Sequence, residues 1–355
     1  MTQAHINRIG TAVPPHDVHA AYVDFMQKGL VEARAQPIFS RMAQRSGIEH
    51  RFSVLAKEGL VEADAERPGF YRRGSFPGTA ARMQVYEDHA PALAMEALTA
   101  LDLGAEAERI THLVVASCTG FMAPGLDQLI ARRLGLVGDL QRTLIGFMGC
   151  FAAVPALRMA QAAVLADPSA RVLVVNLELC TLHMQETQDL EIALSFLLFS
   201  DGCTACVVSA DESGIRLGAF RSAVLPDSED LITWHVGDQG FLMHLSGKVP
   251  GRITQALRDN TGDLLRGEGS QAIARWAVHG GGRSILDAVE TGLNLPKAAL
   301  AQSRSVLADY GNMSSATIMF VLKRMLDAPA EGEHGIAMAF GPGMAVETFR
   351  FQMAA

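Results

Sequence analysis

Short apolar runs that read as strands alternate with longer segments that read as helices, and the pattern occurs twice along the chain. In the first pass, strand-like runs at 113–117, 143–147, 172–177 and 204–209 are separated by helix-like stretches at 125–134, 152–166 and 192–198. A chain that alternates in this way can bury its apolar residues only by covering a sheet with helices, so the prediction is an α/β fold. Upstream, the sequence reads as a strand over 4–13, helices over 17–33 and 37–47, a short strand near 49–53, an irregular stretch over 57–79 and a helix over 80–101. After about residue 210 the order returns: a strand over 215–224, a loop at Pro226-Asp227, a helix near 253–264, then strand, helix and strand. With 355 residues there is enough chain for two medium-sized units, and the predicted division is 1–210 and 211–355.

The stretch Gly146-Phe147-Met148-Gly149-Cys150-Phe151-Ala152-Ala153 joins a buried-looking strand to a long apolar helix, and Cys150 is predicted to open that helix. A thiol at a helix N-terminus ionises more readily, and thiolate is the nucleophilic form. A small buried hydrophobe is the alternative for any free cysteine. Two distant segments favour chemistry. Val278-His279-Gly280-Gly281-Gly282 and Tyr310-Gly311-Asn312-Met313-Ser314 each read as the edge of an element that presents a polar side chain. A cysteine, a histidine and an asparagine so placed are the parts needed for acyl transfer: nucleophile, proton handler and oxyanion donor.

These three segments, with Ala339-Phe340-Gly341-Pro342-Gly343 near the end, closely resemble the type III polyketide synthases, the chalcone synthase superfamily. The resemblance runs along essentially the whole chain. It implies a duplicated thiolase-type fold of αβαβα layers, in which two similar halves form one site. It further implies that Cys150 accepts an acyl group from coenzyme A, and that His279 and Asn312 stabilise the enolate formed as malonyl-CoA loses carbon dioxide. No metal or redox cofactor is expected, and the partners implied are acyl-CoA, malonyl-CoA and a second copy of the chain in a homodimer.

Within the resemblance, Phe199 matches a phenylalanine that separates the coenzyme A tunnel from the reaction chamber, and Met243 stands where plant enzymes have a second gating phenylalanine. Cys118, Thr119, Cys180, His183, Trp234 and Ser314 match chamber positions. Arg41 and Arg45, four apart on one helix face, match basic residues that hold the phosphates of coenzyme A, while a third basic position of that set falls at Ile38. Phe121-Met122-Ala123-Pro124 matches a loop that reaches the partner subunit, with Ala123 in place of a plant methionine. Cys118 and the run Trp234-His235-Val236-Gly237-Asp238-Gln239-Gly240-Phe241 look like the bacterial branch, including members that extend fatty acyl-CoA. The starter is therefore expected to be a fatty acyl-CoA, with malonyl-CoA itself as the other choice.

Other chemistries find little support. A net charge of −8 gives no basic footprint for nucleic acid. The start lacks the charged and apolar regions of a signal peptide, and no apolar run reaches the ~18 residues of a membrane span. Five scattered cysteines point to a reducing compartment, so the expected location is the cytoplasm. Cys203 and Cys206 have half the spacing of a zinc site, without a second pair of ligands. His279-Gly-Gly-Gly resembles a lipase oxyanion loop, but no Gly-x-Ser-x-Gly accompanies it. Two alternatives stay open on sequence: a single-condensation ketoacyl synthase using acyl carrier protein, and an acyl-CoA-binding pseudo-enzyme. The first usually carries His-Gln-Ala-Asn where this chain has His279-Gly-Gly-Gly. The second would be expected to have lost one of the three polar residues.

Overall fold

The computed structural model describes residues 2–30, 32, 34–57, 69–136, 138–265, 269–328 and 330–354. In the first half the elements are β1 (His5–Ala12), β2 (His16–Asp17), α1 (His19–Gly29), α2 (Ala35–Arg45), β3 (Phe52–Ser53), α3 (Thr79–Leu101) and β4 (His112–Ser117). They continue with α4 (Leu126–Arg133), β5 (Gln141–Gly146), α5 (Ala153–Ala166), β6 (Val172–Leu179), α6 (Leu190–Phe196) and β7 (Asp201–Ser209). The second half holds β8 (Ile215–Val224), β9 (Ile232–Gly237), β10 (Gly240–Leu245), α7 (Val249–Asp259), α8 (Thr261–Leu264) and β11 (Arg275–Val278). It ends with α9 (Arg283–Leu293), α10 (Ala301–Tyr310), α11 (Thr317–Asp327), β12 (His334–Gly341) and β13 (Ala345–Met353).

Strand order exposes the duplication. The large sheet runs β11-β12-β13-β8-β1-β7-β6-β4-β5. Read outward from its middle, β8-β13-β12-β11 repeats β1-β7-β6-β4, with two antiparallel pairings followed by one parallel pairing in each half. Only β5 lacks a counterpart, and the halves join where His5 and Ile6 of β1 pair with Arg216 and Ile215 of β8.

Side-chain alternation along the strands builds the layers. Leu113 and Val115 of β4 face an outer core with α1, α2 and α3, whereas Val114 and Ala116 face an inner core. In the second half Ile336, Met338 and Phe340 of β12 face another outer core with α7 and α9, whereas Ala337 and Ala339 face the same inner core. That inner core is filled by α5 and α11. Both helices are apolar on most of their circumference, as an interior helix must be, and the alanines of α5 let neighbouring backbones approach closely. The result is helix, sheet, paired central helices, sheet, helix: the duplicated αβαβα arrangement that the resemblance implies.

Most expected elements stand within a few residues of their places. The helix expected over 17–33 is α1, which ends at Gly29; positions 31 and 33 lie outside the described residues. Of the irregular stretch 57–79, positions 58–68 also lie outside them, and α3 begins at its end, at Thr79. The helix expected at 253–264 starts earlier, at Val249, with proline in its first turn where the missing N–H costs nothing. Strand β6 runs two residues past its expected end, which brings Glu178 into the sheet. No helix among the described residues is long and apolar enough to cross a membrane.

Candidate active site

Internal symmetry places the polar residues. Cys150 lies just ahead of α5, which leads into β6; Asn312 lies just ahead of α11, which leads into the equivalent strand β12. Cys118 follows β4, and His279 follows the equivalent strand β11. Strands β11 and β12 are parallel, so His279 and Gly341 emerge at the same end. A Cβ on Gly341 would stand 3.5 Å from the Cys150 nitrogen.

The backbone around the cysteine is tightly turned. Phe147 and Gly149 both have positive φ, at 58° and 84°, and a Cβ on Gly149 would meet Pro342 at 2.5 Å. Glycine is needed there both for the conformation and for that contact. The turn sets Cys150 three residues before α5 begins and buries it, leaving 8% exposed. Its thiol differs from the sequence expectation. Burial pushes it up to about 11, against a lowering from the Ser314 hydroxyl and the Cys150 amide, while the Glu178 carboxylate adds a further push upward. Desolvation of a buried thiolate outweighs the field of a helix that starts one turn away.

Ser314 ties the site together. It has positive φ at 48°, its hydroxyl lies 3.3 Å from the Cys118 sulfur, and it acts on the Cys150 thiol in the lowering direction. Its amide donates to Asn312 Oδ1 at 2.9 Å. Asn312 Nδ2 donates to the Gly281 carbonyl at 3.2 Å, which leaves its second amide hydrogen for another acceptor. Two backbone bonds, Asn312 N to Leu198 O and Ser200 N to Asn312 O, lock Asn312 beside Phe199. His279 is 1% exposed and neither imidazole nitrogen has a partner. Burial lowers it to about 4, so it is neutral at pH 7.

A cavity opens at Cys150 and is lined by Cys118, Thr119, Cys180, Phe199, Trp234, Met243 and Ser314 among the residues singled out in the sequence. Phe196, Gly149 and Pro342 complete its wall. Phe196 and Phe199 also border a second cavity lined by Tyr22 and Arg51, so these rings stand between two spaces. The buried Arg51 donates to both the Phe196 and Phe199 carbonyls, at 2.9 and 2.8 Å, and fixes that partition from behind.

His183 is not on the cavity wall. Its Nε2 donates to the Thr119 carbonyl at 2.7 Å and its Nδ1 accepts from the Phe241 amide at 3.0 Å, which sets the tautomer. The ring stacks on Phe241 and meets Trp234 edge-on, while Trp234 donates to the Cys118 carbonyl at 2.9 Å. His183 therefore buttresses the wall from outside, and burial holds it neutral, near 3. Arg41 and Arg45 lie on the exposed face of α2, away from the cavity.

The polar residue missed in the sequence is Glu178. It is fully buried, accepts from the Cys118 amide, the Cys118 thiol, the Thr119 hydroxyl and the Ser315 hydroxyl, and has no cation to balance it among the described residues. Burial pushes it up to about 7, and the hydrogen bonds it accepts oppose that rise. The available signal was an acid in a strand whose other residues, Asn176 apart, are apolar on both faces, Val172-Leu-Val-Val-Asn-Leu-Glu-Leu179. Cys150 thus opens onto a mostly apolar chamber with one weakly acidic carboxyl behind it, while the neutral His279 and the amide of Asn312 meet at Gly281 and are not themselves part of the cavity wall. That arrangement suits acyl transfer through a cysteine thioester.

Comparison with known proteins agrees along the full length. The profile described as chalcone and stilbene synthases, N-terminal domain, matches residues 1–212, and the corresponding C-terminal domain matches 217–354. Bisdemethoxycurcumin synthase of Oryza sativa subsp. japonica is 34% identical over 370 residues, spanning 97% of this chain and 91% of that protein. The crystal structure of PKS-I from the brown alga Ectocarpus siliculosus superposes with a TM-score of 0.88 at 29% identity, covering 99% of both chains. The C-terminal type III polyketide synthase domain of Steely1, a type I/III hybrid from Dictyostelium, has the same fold at 23% identity. Its TM-score is 0.87, with 99% of this chain and 100% of that one covered.

Proposed function

The chain belongs to the chalcone and stilbene synthase family of type III polyketide synthases and is an acyltransferase, and within that family we propose that it extends a fatty acyl-CoA starter with malonyl-CoA and cyclises the product to a pyrone or resorcinol. In this reading Cys150 attacks the starter thioester, its proton passes to His279, and coenzyme A leaves as the thiol after taking that proton back. Malonyl-CoA then loses carbon dioxide. The resulting enolate oxygen accepts hydrogen bonds from His279 and Asn312, and the enolate carbon attacks the acyl group on Cys150, releasing the thiolate. Donors fixed before the charge develops are the efficient kind, and removing one typically costs about 2.7 to 4 kcal/mol.

The observation that carries the reading is the chamber itself: Cys150 opens onto an almost wholly apolar cavity, and the buried His279 keeps both ring nitrogens without a partner among the described residues. Met243 and Cys180 give that wall flexible or small side chains, which suits an alkyl tail, and the likeness of Cys118 and the run from Trp234 to Phe241 to bacterial alkyl-extending members supports the same choice. Phe199 serves as the gate, Cys118, Thr119 and Trp234 as chamber wall, and Arg41 with Arg45 as the phosphate grip. The two halves, divided near 210, act as one unit in the cytoplasm, with no metal or redox cofactor.

Each buried methylene stabilises a bound tail by about 0.8 kcal/mol until the pocket ends. Turnover of saturated acyl-CoA starters should therefore rise with length and then level off, as read by product mass across a starter series. Efficient product from malonyl-CoA alone would replace the alkyl reading with a malonyl-primed one, and activity seen only with acyl carrier protein would replace it with a single-condensation synthase.

A homodimer is proposed as the working assembly. Strand β5 is an edge of the sheet, Leu144 on it is 50% exposed, and Phe121 is 44% exposed. Apolar side chains on an unpaired edge favour a partner. Light scattering at micromolar concentration should give twice the 38.0 kDa chain mass; a monomer would overturn the assignment.

A further inference from the structure

Helix α2 presents more than two cations. Ile38, Arg41, Met42 and Arg45 follow the i, i+3, i+4, i+7 spacing of one helix face, and both Ile38 and Met42 are 46% exposed. Neither arginine forms an ion pair with a carboxylate among the described residues. A third cation reaches this face from the other half of the molecule: Arg283, at the start of α9, places its guanidinium Nη1 3.4 Å from the Arg45 carbonyl. Among the described residues its one carboxylate neighbour, Asp287, lies at 3.7 Å and already accepts from Arg304 at 2.6 Å, so Arg283 is held loosely. Arg41 and Arg45 share one exposed helix face and Arg283 adds a third positive charge at the end of that helix; like charges grouped in this way favour an anion among them.

We infer that Arg283 is a third phosphate-binding residue of the coenzyme A site, acting with Arg41 and Arg45, and that Ile38 and Met42 form an apolar shelf for the nucleotide base beside them. The inference rests on the coenzyme A reading of the site. It accounts for Ile38 where a basic residue is the family pattern: the cation is supplied across the interface between halves, and the freed position becomes a surface for an aromatic ring. The patch is also within reach of the chemistry. Arg283 is four residues from His279, at most about 14 Å of extended chain, and Gly282 packs against Leu198, which precedes Phe199. The pantetheine arm of coenzyme A can bridge that gap from the phosphates to Cys150.

The test titrates adenosine 3′,5′-bisphosphate into wild type, Arg283→Ala and Arg283→Lys by calorimetry. Loss of one charge-assisted contact should raise Kd about tenfold in Arg283→Ala, while Arg283→Lys, which keeps the charge, should stay much closer to wild type. The selectivity for malonyl-CoA over malonyl N-acetylcysteamine thioester, as a ratio of kcat/KM values, should fall by a similar factor in Arg283→Ala. A purely structural role would depress both thioesters equally and overturn the inference, as would an unchanged nucleotide Kd. Failure of the underlying reading has a different signature: wild type would use acyl carrier protein alone and bind no bisphosphate.

Discussion

Cys150→Ala should stop carbon–carbon bond formation while decarboxylation of malonyl-CoA continues. Condensation needs a covalent acyl-enzyme, and no other thiol in the chamber is placed to replace Cys150. Cys118 is engaged with Glu178 and Ser314, and Cys180 lacks the turn that aims Cys150 beside Pro342. Condensation should drop by at least about 10⁴-fold, the scale seen when a covalent nucleophile is deleted. Decarboxylation draws on a different set of atoms, because the enolate oxygen needs only the donors on His279 and Asn312. Removing one sulfur leaves the bond from Ser314 to Asn312 and the bond from Asn312 to Gly281 in place. The measurement pairs intact-protein mass after exposure to acyl-CoA with carbon dioxide release from malonyl-CoA. Mass gain in the variant would show a second acyl acceptor, and loss of both activities in step would mean that the sulfur helps to hold the malonyl group.

How far such roles can be read from sequence depends on whether neighbours along the chain or across the fold decide them. The layered fold was legible because strands such as β4 and β12 send alternate residues to two different cores, a local pattern. Cys150, His279 and Asn312 could be picked out because each sits at an element edge within a distinctive short motif. Properties created by tertiary packing were not available in this way. The upward push on the Cys150 thiol comes from its burial, which no local feature encodes and which opposes the lowering that a helix terminus predicts. His183 resembled a chamber residue in its motif, yet Phe241 and Thr119, distant in sequence, take both of its nitrogens and turn it away. Arg283 followed the His279 motif in plain sight, but only the closure of the two halves brings it to Arg45.

His279→Ala should separate the two ways a histidine could activate the cysteine. If an imidazolium and a thiolate already share the resting site, the thiol titrates well below the ~8.5 of free cysteine and the variant shifts it upward. The structure favours the other state: burial drives the thiol up to about 11 and the imidazole down to about 4, so the proton rests on sulfur and His279 stands ready as a neutral base. Alkylation of wild type by iodoacetamide should then follow a profile with its midpoint above 8.5, and that midpoint should move little in His279→Ala. Acyl loading, by contrast, should fall by about 10² to 10⁴, the usual contribution of a positioned base. The sign of the pH dependence follows from the same shift. A histidine whose pKa is lowered keeps its base form on the acid side, so the acid limb of loading in wild type should lie nearer 4 than 6.5. Asn312→Ala, which leaves the base intact, should load normally and lose decarboxylation instead. An alkylation midpoint well below 8.5 in wild type, rising in His279→Ala, would refute the neutral pair and restore the preformed thiolate.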